Sequence, residues 1–114
     1  MGDIDADAEQ RDGACLYSNE AGAELWERGL RLRMPGSCIG RTVAVMVTGP
    51  ARYSLTYYRG GRTVGTQMID IPDNEKQAVF AKVPLGPGAM FDRVDFLLAN
   101  DALPSTLWLL RYTN

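Results

Sequence analysis

The sequence predicts an all-β fold, an antiparallel two-sheet β-sandwich of about eight strands connected like a jelly roll. Runs of alternating apolar and polar residues recur roughly every ten residues, and each run is bounded by Gly, Pro, Asn or Asp. No segment keeps a helical period over about ten residues. The chain has 114 residues, of which 46% are hydrophobic. We therefore expect one domain with one core.

The amino-terminal segment differs from the rest in composition and charge. Residues 1–13 are rich in Asp, Ala and Gly, and they predict a flexible acidic arm ahead of a sandwich domain over residues 14–114. Residues 1–27 contain eight acids and one base, whereas residues 28–114 contain six acids and eleven bases. The arm and the body are therefore opposite in charge.

The first strands are predicted by alternation. Residues 14–18 form a short opening strand, and residues 22–34 form a longer run. That run ends with Leu30, Leu32 and Met34 on one face and Arg31 and Arg33 on the other. A short helix over residues 20–31 is the alternative, which two glycines within it disfavour.

The middle of the chain predicts three strands. Residues 42–48 are apolar on both faces, which is typical of a central strand. Residues 51–59 alternate, and residues 63–71 form the return strand. Between them, Gly60 and Gly61 predict a two-residue hairpin turn that requires positive φ.

The last strands are separated by turn signals. Residues 72–75 form a turn, residues 79–83 a strand, and the Pro- and Gly-rich residues 84–88 a loop. Residues 93–98 and 106–113 alternate again and complete the sandwich.

Residue content argues against an enzyme. The chain has no histidine, which removes Ser-His-Asp and Cys-His nucleophile systems and histidine-bound metals. Asp92 and Asp95 are three positions apart in a strand and point to opposite faces, so they cannot share a substrate. We expect no catalytic residue, cofactor or metal. Calcium at the turn formed by Asp70, Asp73, Asn74 and Glu75 is left open.

The two cysteines, Cys15 and Cys38, are too few for a disulfide framework. We expect free, buried thiols. A disulfide between them is the alternative.

Aromatic and charged residues at the predicted hairpin tip are typical of contact surfaces. Tyr57 and Tyr58 lie beside Arg59 and Arg62, although the tyrosines could instead belong partly to the core. Together with the arm and the arginine face, the candidates for interaction are Asp3, Asp5, Asp7, Glu9, Arg31, Arg33, Tyr57, Tyr58, Arg59 and Arg62.

Overall charge and hydropathy limit the classes of partner that we expect. The net charge is −2, which argues against nucleic acid, and no apolar run approaches the roughly 18 residues of a membrane span. The amino terminus carries no export signal, so we expect synthesis and retention in the cytoplasm.

The stretches Val43-Ala44-Val45-Met46-Val47, Ala51-Arg52-Tyr53-Ser54-Leu55-Thr56-Tyr57-Tyr58 and Phe91-Asp92-Arg93-Val94-Asp95-Phe96 resemble small jelly-roll modules. Two kinds share this architecture: decoration or cement proteins of tailed-phage capsids, and carbohydrate-binding modules. The first resemblance implies a structural protein that binds neighbouring subunits of a particle, as a homo-oligomer or on a lattice. Without an export signal or a catalytic domain, the sequence favours this virion protein; the alternative is a glycan-binding module that stacks Tyr57, Tyr58 or Trp26 on a sugar.

Overall fold

Ten β-strands in two five-stranded sheets make up the described parts of the computed structural model, which are residues 4–25, 29–38, 40–48, 50–72, 77–82, 90–98 and 105–113. These ranges contain no helix, and therefore none able to cross a membrane. The strands are β1 (Ile4–Asp7), β2 (Glu9–Arg11), β3 (Ala14–Leu25), β4 (Gly29–Cys38), β5 (Thr42–Val47), β6 (Ala51–Arg59), β7 (Arg62–Ile71), β8 (Gln77–Lys82), β9 (Phe91–Leu98) and β10 (Ser105–Thr113).

The connectivity is that of a jelly roll. Sheet I has the order β1-β4-β9-β6-β7, and sheet II has the order β2-β3-β10-β5-β8. From β3 to β10 the chain alternates between the sheets, except at the hairpin of β6 and β7. All pairs are antiparallel apart from β1 with β4. The predicted sandwich is confirmed, with two more strands than expected.

The additional strands come from the segment that the sequence predicts to be a flexible arm. Residues 4–11 instead form β1, which pairs parallel with β4, and β2, which pairs antiparallel with β3. Ile4 and Ala6 pack against the core, and the backbone N–H of buried Ala8 donates to the carbonyl of Arg33 at 2.7 Å. The reason is a short alternation that gives this acidic segment one apolar face.

Strand β3 continues past the predicted end of the opening strand because its middle bulges. Its pairing with β10 passes from Ser18 directly to Ala23. Within the skipped residues, the Asn19 side chain accepts the N–H of Ala21 at 3.1 Å, and Gly22 has φ +85°. A Cβ at Gly22 would lie 2.4 Å from Thr106 Cγ2. Glycine is therefore required here, and the predicted run over residues 22–34 is divided between two sheets.

Five aromatic rings fill the centre of the sandwich. Tyr53 stacks on Phe96 with ring centroids 4.4 Å apart, while Phe91 meets Tyr57 and Tyr112 edge-on at 5.0 Å each. All five side chains are at most 1% exposed. The alternation of strands β6, β9 and β10 thus places large rings from both sheets in one dry interior.

The two cysteines are free and buried, as predicted. Cys15 lies opposite Tyr112 in sheet II, and Cys38 lies opposite Phe91 in sheet I. The Cys15 side chain is within hydrogen-bonding reach of Cys38, so the two thiols adjoin across the core. Burial, followed by the neighbouring Cys15, raises the pKa of Cys38 far above its ordinary value.

Candidate interaction face

The outer face of sheet I brings together residues from four strands. The pairing register places Asp5 beside Arg31 and Asp7 beside Arg33. Strand β9 then sets Asp95 opposite Arg31, and β6 follows with Tyr58 opposite Arg93. We call this surface the charged face. It comprises Asp5, Asp7, Arg31, Arg33, Tyr58, Arg93 and Asp95.

Arg33 connects the amino-terminal strand to the body of sheet I. Its Nε donates to Asp7 Oδ1 at 2.9 Å, and its Nη1 lies 3.9 Å from Asp5 Oδ1. The bond to Asp7 raises the pKa of the Arg33 guanidinium. These side chains are half exposed or more, so each ion pair orients the strand but contributes little stability.

Asp95 is shared by two arginines at the centre of the face. Its Oδ1 lies 3.5 Å from Arg31 Nε and 3.3 Å from Arg93 Nε, and its side chain is only 18% exposed. The Arg93 guanidinium carbon sits 4.0 Å from the centroid of the Tyr58 ring. The guanidinium groups are thus held in place, and the face is close to neutral, with three acids and three bases.

Apolar side chains border the charged face. Leu97 on β9 is 42% exposed, and Met68 on β7 is 53% exposed. A shallow pocket beside Leu97 is lined by Gly29, Leu30, Arg31 and Asp95, with a volume of about 80 Å³. That is well below the roughly 300 Å³ at which small-molecule sites begin. The surface is better suited to a broad contact than to an enclosed ligand.

The hairpin tip lies at one end of this face and has the predicted turn. Gly60 and Gly61 have φ of +58° and +80°. The N–H of Gly60 donates to Asp92 Oδ2 at 2.9 Å, which ties the tip to β9. Arg59 and Arg62 are exposed, and within the described part of the chain neither forms an ion pair. The tip therefore presents two available cations.

The placement of Tyr57 on the contact surface is wrong. The side chain is fully buried, its hydroxyl donates to Gln67 Oε1 at 2.8 Å, and it accepts from the Tyr112 hydroxyl at 3.0 Å. Burial raises the pKa of Tyr57, and the bond to Tyr112 partly opposes that shift. Inward positions on β6 alternate, so Tyr57 follows Tyr53 and Leu55 into the core.

The structure does not assign three of the sequence candidates to the charged face: Glu9, Asp3 and the turn considered for calcium. Glu9 belongs to β2 in sheet II, where it pairs with Arg11 at 3.0 Å. Asp3 lies outside the described residues, as do Asp73, Asn74 and Glu75 of the turn considered for calcium. The remaining carboxylate of that turn, Asp70, accepts from Arg52 Nε at 2.6 Å.

Sequence reasoning missed Arg93, Asp95 and Asp92 as parts of the surface. Arg93 and Asp95 flank the inward Val94, so alternation places them outward. Alternation could not predict the strand order, which places β9 between β4 and β6. Asp92 and Asp95, considered earlier as a carboxylate pair, have separate partners at the tip and in the centre of the face.

Comparison with known proteins does not assign the chain to a family, because no protein-family model and no curated protein matches it.

Proposed function

We propose that this chain is a non-enzymatic structural component of a larger assembly, most concretely a decoration or cement protein on a virion capsid. The observation that carries the proposal is the charged face with its apolar border. Arginine, tyrosine and methionine are enriched at protein contacts and lysine is depleted, and the described outer face of sheet I contains the first three and no lysine.

The internal pairing of charges supports a protein partner. Arg31 and Arg93 already share Asp95, and Arg33 already bonds Asp7. A charge that is already paired stays neutralised by its partner when the surface is buried and water is removed. A polyanion would have to compete with these carboxylates, which disfavours nucleic acid on this face.

The geometry is less favourable to the glycan-binding alternative. Stacking of a sugar requires an open aromatic ring, but the Arg93 guanidinium covers one side of Tyr58 and Tyr57 is buried. Trp26, the third platform considered, lies outside the described residues. A glycan array tests this alternative directly, and specific binding of one sugar class would favour it over the assembly role.

The decisive experiment asks whether the chain travels with particles. Particles from the source culture are purified on a density gradient, and the chain is quantified by mass spectrometry relative to the main shell protein. The proposal expects a fixed ratio across the particle peak. Recovery of the chain solely from fractions without particles would overturn it.

A second experiment locates the contact. Particles stripped of the chain are incubated with purified wild type, with Leu97→Glu on the charged face's border, or with Arg111→Glu on the outer face of sheet II. We expect Leu97→Glu to lose binding at least tenfold while the control Arg111→Glu binds normally. The reverse ranking would assign the contact to sheet II.

A further inference from the structure

Strand β7 is an edge strand of unusual length and low charge. In the described parts of the chain it pairs on one side with β6, and no strand pairs with its other side. It has ten residues, whereas the edge strands β1, β2 and β8 have four, three and six. Residues 63–69 contain no charged side chain. A long, uncharged edge offers backbone N–H and C=O groups to another strand.

The exposed side chains of β7 also favour pairing of this edge with another strand. Val64 is 41% exposed and Met68 is 53% exposed, and together with Leu97 they are the large hydrophobic residues exposed in the described part of the chain. Thr66, also exposed, lies between them. The edge therefore has an apolar residue on each side of a central threonine.

We propose that β7 mediates self-association: two copies pair their β7 strands antiparallel about a two-fold axis at Thr66, which joins their sheets I into one continuous sheet. The proposal concerns this chain alone, and it does not depend on the function proposed above. A two-fold contact of this kind is isologous and closes after two copies.

The register follows from the side-chain pattern of residues 64–70, which begin at the β-bulge where β7 passes from Thr63, opposite Tyr58, to Gly65, opposite Tyr57. For the outer faces to stay continuous, each residue must pair with one of the same parity, which centres the axis on a residue. Centring on Gly65 sets Val64 against Thr66, and centring on Gln67 sets Val64 against Asp70. Centring on Thr66 sets Val64 against Met68 twice and Thr66 against itself.

Charge at the two ends of the strand favours the same register. The pairing centred on Thr66 brings the end of β7 that carries Arg62, which lies before the bulge at Val64, near the Asp70 end of the other copy. The centre of the interface is then uncharged, and opposite charges lie at both ends. This self-complementarity identifies the occupant as a second copy of the chain.

Cysteine cross-linking tests the register. In either kind of antiparallel pair, facing Cα atoms are about 4.5–5.5 Å apart, within the range of a disulfide. Thr66→Cys should therefore give a covalent dimer, in which two thiols pass two electrons and two protons to added glutathione disulfide. The matched variant Val64→Cys should form no covalent dimer, since its two thiols would be offset by roughly 13 Å. Cys15 and Cys38 are buried and do not compete.

Sedimentation equilibrium measures the association without cross-linking. We expect Val64→Lys/Met68→Lys to raise the dimer Kd at least tenfold, because it sets lysine opposite lysine twice. Leu97→Lys is the control, with a similarly exposed residue on an interior strand, and it should leave the Kd unchanged. Circular dichroism confirms that all variants fold.

Two results would overturn the proposal. One is a wild-type chain that sediments as a monomer together with a Thr66→Cys variant that forms no covalent dimer. The other is equal cross-linking through Thr66→Cys and Val64→Cys. Neither result bears on particle binding, which is read from the gradient. A chain that dimerises but is absent from particles would contradict the proposed function and leave the β7 contact intact.

Discussion

Buried tyrosines give the core two sets of hydrogen-bonded polar groups. Tyr112 donates to Tyr57, Tyr57 donates to Gln67, and Tyr53 bonds Ser105, whose hydroxyl also reaches the Thr48 carbonyl at 2.8 Å. Each ring contributes apolar area while its hydroxyl finds a partner, which is the condition for burying tyrosine. The hydroxyl groups thus link β6, β7 and β10 at the level of single residues.

Removal of one hydroxyl tests this arrangement. Tyr57→Phe keeps the ring but deprives the Tyr112 hydroxyl of its acceptor, so we expect a loss of about 1–3 kcal/mol in the free energy of unfolding. Tyr58→Phe is the control on the outer face, with an expected change within about 0.5 kcal/mol. Urea denaturation measures both. Equal losses in the two variants would contradict the role given to the buried hydroxyl.

Alkaline pH should unfold the protein through the same residues. Burial raises the pKa of Tyr53 to about 12, and it raises the pKa of Tyr57 and Tyr112 as well. The folded state therefore retains protons that the unfolded chain releases near pH 10. Stability is fully present below pH 10 and falls as the pH rises toward 12.

Absorbance at 295 nm, recorded with circular dichroism, follows tyrosinate and folding together. We expect the buried tyrosines to ionise in the same transition in which the β-sheet signal is lost. Ionisation of all five tyrosines near pH 10 with the fold intact would contradict this.

At the scale of elements, the hairpin of β6 and β7 is fixed by two backbone conformations. Positive φ at both Gly60 and Gly61 matches the turn type that suits the twist of paired strands. The tip carries Arg59 and Arg62, and it also starts the edge strand β7. The turn thus sets the position of these two exposed arginines and the beginning of the exposed edge.

Substitution in the turn should act through φ alone, because a Cβ at either glycine meets no atom within 4 Å. We expect Gly60→Ala/Gly61→Ala to cost about 1–2 kcal/mol for each residue held at positive φ. Gly60→Asn should cost much less, since Asn-Gly is favoured in this turn. Thermal unfolding ranks the variants. A similar loss of stability in Gly60→Ala/Gly61→Ala and in Gly60→Asn would indicate that side-chain contacts, not φ, determine the turn.

Elements were more predictable from the sequence than their neighbours in the sheets. Period-two alternation identified β6, β7, β9 and β10, because each has one face in the core. Alternation alone does not show which face of β6 points inward, so it could not exclude Tyr57 from the contact surface. It also could not show that β1 lies beside β4, since that pairing joins residues far apart in sequence.

At the scale of the whole molecule, the amino-terminal segment belongs to both sheets. Strand β1 extends sheet I and β2 extends sheet II, with buried Ala8 between them. Without this segment, the described residues of the body still form eight antiparallel strands around an aromatic core. The segment is therefore expected to add stability to a sandwich that can form by itself.

Truncation separates these contributions. A chain of residues 12–114 should still unfold cooperatively, but at a lower Tm, because it loses two strand pairings and the cover over β4. Asp5→Asn/Asp7→Asn in the full chain keeps the strands and removes the charges facing Arg33. Because those charges are exposed and screened by solvent, we expect it to cost much less stability than the truncation. A larger loss from the double variant than from truncation would mean that ion pairs, rather than strand pairing and burial, hold the segment in place.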